Sequence, residues 1–185
     1  MHNLLLTLWM AFGLGLAQAS EVVATMHPVT GLTTWKQSDR SISLEIIQLS
    51  PEAAQATYSS RDLSPVIYQS MHGYCVFGSV VRNESDAALT YRVVDWRVTG
   101  ANGKRQRLRT KSQWIADWKK QGANFAWSIL PDDITLEVGD WSLGYTPIKV
   151  GPGEHFDLIY VWRQHGKSFT GTLQNLVCPD MSGLR

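Results

Sequence analysis

The stretch with the greatest chemical reach is SMHGYCVFGSVVRN, Ser70 to Asn83, which puts Met71, His72 and Cys75 within five positions. Thioether and imidazole are the donors that Cu(I) prefers. A second Met–His pair, Met26 and His27, stands upstream. A small copper-binding protein using Met26, His27, Met71 and His72 is therefore one function the sequence allows. The spacing gives it little support, because the chain has no H-x-H, C-x-x-C, M-x-x-M or H-E-x-x-H pattern. Cys75 also has a competing use. The only other cysteine is Cys178, and a lone even pair in an oxidising compartment is expected to form a disulfide. That bridge would close a loop of about 103 residues, for which chain entropy gives roughly 4.7 kcal/mol.

Nucleophilic chemistry has weaker signals. GDWSLG, Gly139 to Gly144, sets Ser142 between glycines, but as G-x-x-S-x-G and not as the G-x-S-x-G elbow of a hydrolase. His155 and His165 fall at turns, where solvated histidine is the ordinary case. Asp132, Asp133, Glu137 and Asp140 cluster around two turns and follow Pro131. Asp in such positions caps turns, and the run has neither the EF-hand pattern nor a fixed separation for paired acid–base work. A hydrolase whose site residues converge only in space stays a further alternative.

Binding has the better material. Arg105, Arg107, Arg109 and Lys111 alternate, so on a strand they would project from one face as a cationic ridge. Such a ridge either guards a sheet edge against pairing or meets an acidic partner. Trp114 and Trp118 follow at helical spacing with Ile115. They form either a platform at that interface or the face that docks a helix onto the sheet.

These residues need a scaffold, and the chain specifies one. Leu4 to Leu16 is an uncharged apolar run followed by Ala17-Gln18-Ala19. The run is too short for a bilayer and ends in the small-x-small pattern of a cleavage site. Residues 1–19 are thus expected to be a signal peptide and the mature chain to begin at Ser20, periplasmic or secreted, with no stable membrane anchor. Residues 20–40 are polar with Pro28 and Gly31, as in an N-terminal arm, and 41–185 are long enough for one domain. Lys and Arg exceed Asp and Glu by one, 17 against 16, so no global field draws nucleic acid. Eight tryptophans are a heavy aromatic load for 185 residues.

Within the domain the hydrophobic period is two. Ile42, Leu44 and Ile46 alternate with polar residues, as do Phe77 and Val81, then Val94, Trp96 and Val98, then Phe125, Trp127 and Ile129. Ile134 and Leu136, then Trp141, Leu143 and Tyr145, then Phe156, Leu158, Tyr160 and Trp162 follow, and Ser168 to Cys178 closes the series. Asn102-Gly103 marks a hairpin. Ser50-Pro51-Glu52 starts a short helix to about Tyr58, and Ser112 to Gln121, with Lys119, Lys120 and then Gly122, is a second. Short strands at about ten-residue spacing predict a mainly β fold, an immunoglobulin-like antiparallel β-sandwich with one or two short inserted helices, and a small β-barrel as the runner-up. The expected function is non-enzymatic binding of a protein partner, an acidic one where the cationic ridge is the contact, as an accessory, an inhibitor or a toxin-protecting immunity protein. No cofactor is implied.

Overall fold

The computed structural model describes residues 21–39, 41–50, 52–53, 56, 65–123 and 129–179. Among them eleven strands form two antiparallel sheets, a β-sandwich and not a closed barrel. The first sheet runs in the order β1 (Val22–Met26), β2 (Thr33–Asp39), β3 (Ile42–Gln48), β4 (Cys75–Asn83) and β9 (Trp141–Ile148). The second is built on β10 (His155–Gln164). Along one side of β10 lies β11 (Lys167–Val177), and its other side is shared by β5 (Leu89–Arg92) and β6 (Arg97–Gly100). Strands β8 (Asp133–Leu136) and β7 (Arg105–Arg107) extend β5 and β6 respectively.

The alternation explains the main core. Ile42, Leu44 and Ile46, Phe77 and Val81, Leu89 and Tyr91, and Phe156, Leu158, Tyr160 and Trp162 all turn into the space between the sheets. At β11, Gly171 lies under the Tyr160 ring, which would sit 2.3 Å from an added Cβ. Only glycine lets that aromatic cover the strand, an arrangement that repairs the packing lost at a bare backbone.

Several expectations change. Residues 21–39 are not a separate arm: Val22–Met26 and Thr33–Asp39 are a hairpin completing the first sheet, because Trp35 and Gln37 alternate into the interior. The expected strand through Val94, Trp96 and Val98 is broken by a 3-10 turn at Val93–Asp95. The break lets one long β10 face two short partners, and Asp95 pairs with Arg163 at 2.9 Å. In β9 the phase is reversed. Ser142, Gly144 and Thr146 face the core, while Trp141 and Leu143 face outward, 53% and 57% exposed. The inward polar groups are satisfied, Ser142 Oγ accepting from Tyr91 Oη at 3.1 Å and Thr146 bonding Ser79 at 2.7 Å. Gly144 has no alternative, since the Leu130 backbone crosses 2.4 Å from where its Cβ would be.

The outer face of the first sheet carries a second, smaller core. Helices α1 (Pro65–Ser70) and α2 (Lys111–Lys120) pack there through Ile67, Met71, Trp114 and Trp118, against Val76 of β4 and Tyr145 of β9. Thr110, not Ser112, caps α2, in a capping box with Gln113. Gly122 at φ 80° ends it as expected. Helix α1 was not foreseen; its signal is Pro65 at the first helical position. Of the helix expected at 50–58, Ser50 Oγ accepts from the Ala53 amide at 3.1 Å and Glu52, Ala53 and Ala56 are helical; the rest, with Phe125 and Trp127, lies outside the described residues. At Gly100–Lys104 the expected hairpin is present, with Gly103 at φ 74° and Asn102 Oδ1 holding the Lys104 amide at 2.9 Å.

Two buried phenols give the fold an alkaline limit. Burial pushes the Tyr91 hydroxyl up to about 12, partly offset by its bond to Ser142 and raised further by Asp132. Burial raises Tyr160, which donates to Gln37 at 3.0 Å, further still, with Asp39 adding repulsion. In the unfolded chain both ionise near the usual phenol value of about 10. The stability they contribute is therefore complete below about pH 10 and falls as pH rises from there through the folded values. For Tyr91 alone the loss is about 2–3 kcal/mol by about pH 12. Urea melts across that range, followed with tyrosinate absorbance, should find both phenols ionising with unfolding and not before it.

Candidate functional site

Several of the functional candidates gather at the end of the sandwich marked by Cys178. Cys75, opening β4, is bonded to Cys178, just past β11, with Cα atoms 5.8 Å apart. Backbone bonds fasten the β9–β10 turn to the same point: Gly153 N–H donates to Cys178 O at 3.0 Å, and Cys178 N–H to Glu154 O at 3.1 Å. Glu154 Oε2 takes the Gly151 amide at 2.9 Å. On the other side of the bridge, the Tyr74 and His72 amides bond back to Met71 O and Gln69 O.

Between these walls lies a cleft of about 510 Å³. Its lining is largely apolar and includes Leu49, Met71, Val76, Val150, Pro152 and the disulfide. A smaller recess of about 80 Å³ adjoins it and is lined by Gln106, Arg107 and Arg109. The two cavities share Tyr74 and Lys149. Gln106 Nε2 donates to Lys149 O at 2.8 Å, so β7 is pinned against the end of β9.

The cationic ridge exists only in part. Arg105 and Arg107 are exposed on the outer face of β7, an open sheet edge. Arg107 stands opposite Arg97 of β6 in the register, and Arg105 opposite Thr99. Arg109 and Lys111 leave the strand. Arg109 forms an ion pair with Asp117 and lies 4.0 Å over the Trp114 ring, so it belongs to the helix packing. Lys120, bonded to Asp117 at 3.1 Å, is the first cause of that carboxyl's lowered pKa, with Arg109 contributing. Lys111 is the first residue of α2. Trp114 and Trp118 are fully buried in the second core, which corrects their candidacy as partner-binding residues. Among the described residues Arg105, Arg107, Lys111 and Lys149 make no ion pair.

The sequence matches no known family profile, and no curated protein aligns with it significantly. Among solved structures, the fold is similar to that of a candidate lipoprotein, ycdA, from Bacillus subtilis, with a TM-score of 0.44 and 14% identity. The alignment covers 76% of this chain, which spans 38% of that protein's length.

The remaining candidates are dispersed. Met26 ends the edge strand β1, and His27 Nδ1 accepts the Val29 and Thr30 amides at 3.3 and 3.2 Å, shaping the turn. Met71 is buried beneath the helices beside β4. Strands β1 and β4 stand three places apart in the sheet, roughly 14 Å at normal strand spacing, so the fold does not bring the Met–His pairs together. Three of the four turn carboxylates have local work. Asp132 Oδ2 accepts the Ser112 amide at 2.9 Å, Asp133 pairs with Arg92 at 3.4 Å, and Asp140 Oδ2 accepts the Glu137 amide at 3.1 Å. His155 Nδ1 bonds Asn175 at 2.7 Å, and His165 turns the β10–β11 hairpin at φ 50°. Sequence reasoning missed Lys149, since a single lysine beside Gly151 and Pro152 has no pattern to single it out.

Proposed function

We propose that this is an exported, non-enzymatic binding protein, periplasmic or secreted, whose partner is an acidic protein surface engaging the β7 edge. The observation that carries the reading is the pairing of Arg97 with Arg107 directly across the ladder, beside the exposed Arg105. Like charges opposite one another destabilise a sheet, and an anionic partner relieves that repulsion. The open edge also offers main-chain groups to an added strand. Export is supported by the disulfide, which persists in oxidising compartments, together with the apolar leader in the sequence.

Charge reversal at Arg105 and Arg107 tests it; Arg109, paired with Asp117, belongs to the helix packing and is left unchanged. The mature protein, immobilised, should capture a defined partner from an envelope extract at low salt and lose it at high salt. Arg105→Glu/Arg107→Glu should slow association with that partner on the order of tenfold or more, because such charges act mainly on encounter. Salt-insensitive capture by a folded double variant would remove β7 from the interface.

A further inference from the structure

We infer that the cleft beside the disulfide is a site for a single long-chain carboxylic acid, its chain along the apolar walls and its carboxylate at Lys149, where the cleft borders the basic recess. The inference goes beyond the partner surface on β7 and rests on the cleft and its Lys149.

The cleft's size of about 510 Å³ falls in the range of small-molecule sites and is too small for a folded partner. Its chemistry points to an occupant that is apolar along its length. Most amides at the rim of the cleft are already used within the chain: those of His72, Tyr74, Gly151, Gly153, Glu154 and Cys178 donate to neighbouring carbonyls or to the Glu154 carboxylate. A peptide laid there would leave its own backbone groups short of partners, each costing about 1–3 kcal/mol when buried. An acyl chain asks for none.

One end of the cleft supplies a different environment. There Lys149 lines both the cleft and the 80 Å³ recess, and it has no ion partner among the described residues. Arg109, on the same recess, is occupied by Asp117. The one carboxylate lining the cleft, Glu154, is turned to the Gly151 amide. A single anionic head therefore fits the Lys149 end, where the ammonium supplies charge-assisted hydrogen bonds. A second anion would meet Glu154.

Calorimetric titration of the full mature protein with monomeric palmitate should give one site per chain. Palmitate methyl ester keeps the chain and loses the charge, and should bind about tenfold or more weaker. Lys149→Glu should impose a similar loss for palmitate and little for the ester. Gly151→Phe should abolish both, since a Cβ there meets only Glu154 Oε2 at 3.7 Å and the ring has room to enter the cleft. Arg105→Glu, which lies on the partner face and not in the recess, should leave palmitate binding unchanged. That separates failure of this site from failure of the protein-partner reading. Circular dichroism and urea melts confirm that each variant is folded. The inference is overturned by equal affinity for acid and ester, by binding that survives Gly151→Phe, or by absence of palmitate binding. Displacement of bound palmitate by an apolar peptide amide of equal affinity also overturns it, in favour of a peptide groove.

Discussion

Cys178→Ala lowers the free energy of unfolding by about 2–5 kcal/mol, the usual loss for a native disulfide of a secreted domain. The bridge joins residues 103 apart, from the first residue of a central strand of one sheet to the end of the last strand of the other. Both half-cystines are buried, 6% and 5% exposed, so the alanine variant also leaves a buried thiol at Cys75 and a small void. The β9–β10 turn should loosen with it, since Gly153 and Glu154 are bonded to the Cys178 backbone. Urea denaturation gives the stability, and peptide mapping of the wild type without reductant should place both cysteines in one linked fragment. Two free thiols, or an unchanged denaturation midpoint, would refute the architectural role given to the bridge.

Trp118→Ala is expected to cost about 3–5 kcal/mol, as for other buried aromatics. Its indole fills the second core, 5.7 Å centre to centre from Trp114, and its Nε1 donates to Ser70 Oγ at 2.7 Å, tying α2 to α1. The damage should be local. Hydrogen exchange should show the α2 amides losing protection while the β10–β11 hairpin keeps most of its own, as expected of separately opening units. Trp118→Phe keeps much of the packing and drops the hydrogen bond, so it should lose only about 1 kcal/mol beyond the volume difference. If β10–β11 exchange accelerates equally in Trp118→Ala, the helices and the sandwich form a single cooperative unit.

The fold was legible wherever one face of a strand met the main core. Phe156, Leu158, Tyr160 and Trp162 alternate cleanly because β10 is buried on one side between the sheets. The rule failed at β9, where both faces do work. There the large residues Trp141, Leu143 and Tyr145 point away from the main core and small hydrogen-bonded ones point in, so periodicity finds the strand and misassigns its faces. The hairpin of residues 22–39 was missed because the edge strand β1 leaves Val23 and Met26 exposed, with no buried alternation, and Thr33–Asp39 resembles a coil in composition. The site was harder. The alternation of Arg105 with Arg107 holds in the strand, but it continues in sequence through Arg109 and Lys111, and no local pattern marks where β7 gives way to the helix cap at Thr110. Lys149 joins Arg107 only through the packing of β7 on the end of β9.

The position of β10 sets an order on how this chain can be assembled. It is the common partner of β5, β6 and β11, yet it begins only at His155. Strand β9, which completes the other sheet beside β4, begins at Trp141. A chain emerging from its N-terminus can form the β1–β2–β3–β4 meander early, but β5–β8 and β6–β7 must wait as two separate ribbons with no strand to join them. Isolated two-stranded ribbons are marginal in water, and pairings this distant in sequence are slow to close. For most of its emergence the protein therefore presents open strand edges and apolar faces, the features that invite association with other chains. A terminator or frameshift between residues 84 and 155 would yield not a smaller sandwich but a single sheet exposing Ile42, Leu44, Ile46, Phe77 and Val81, a natural substrate for holdases and proteases.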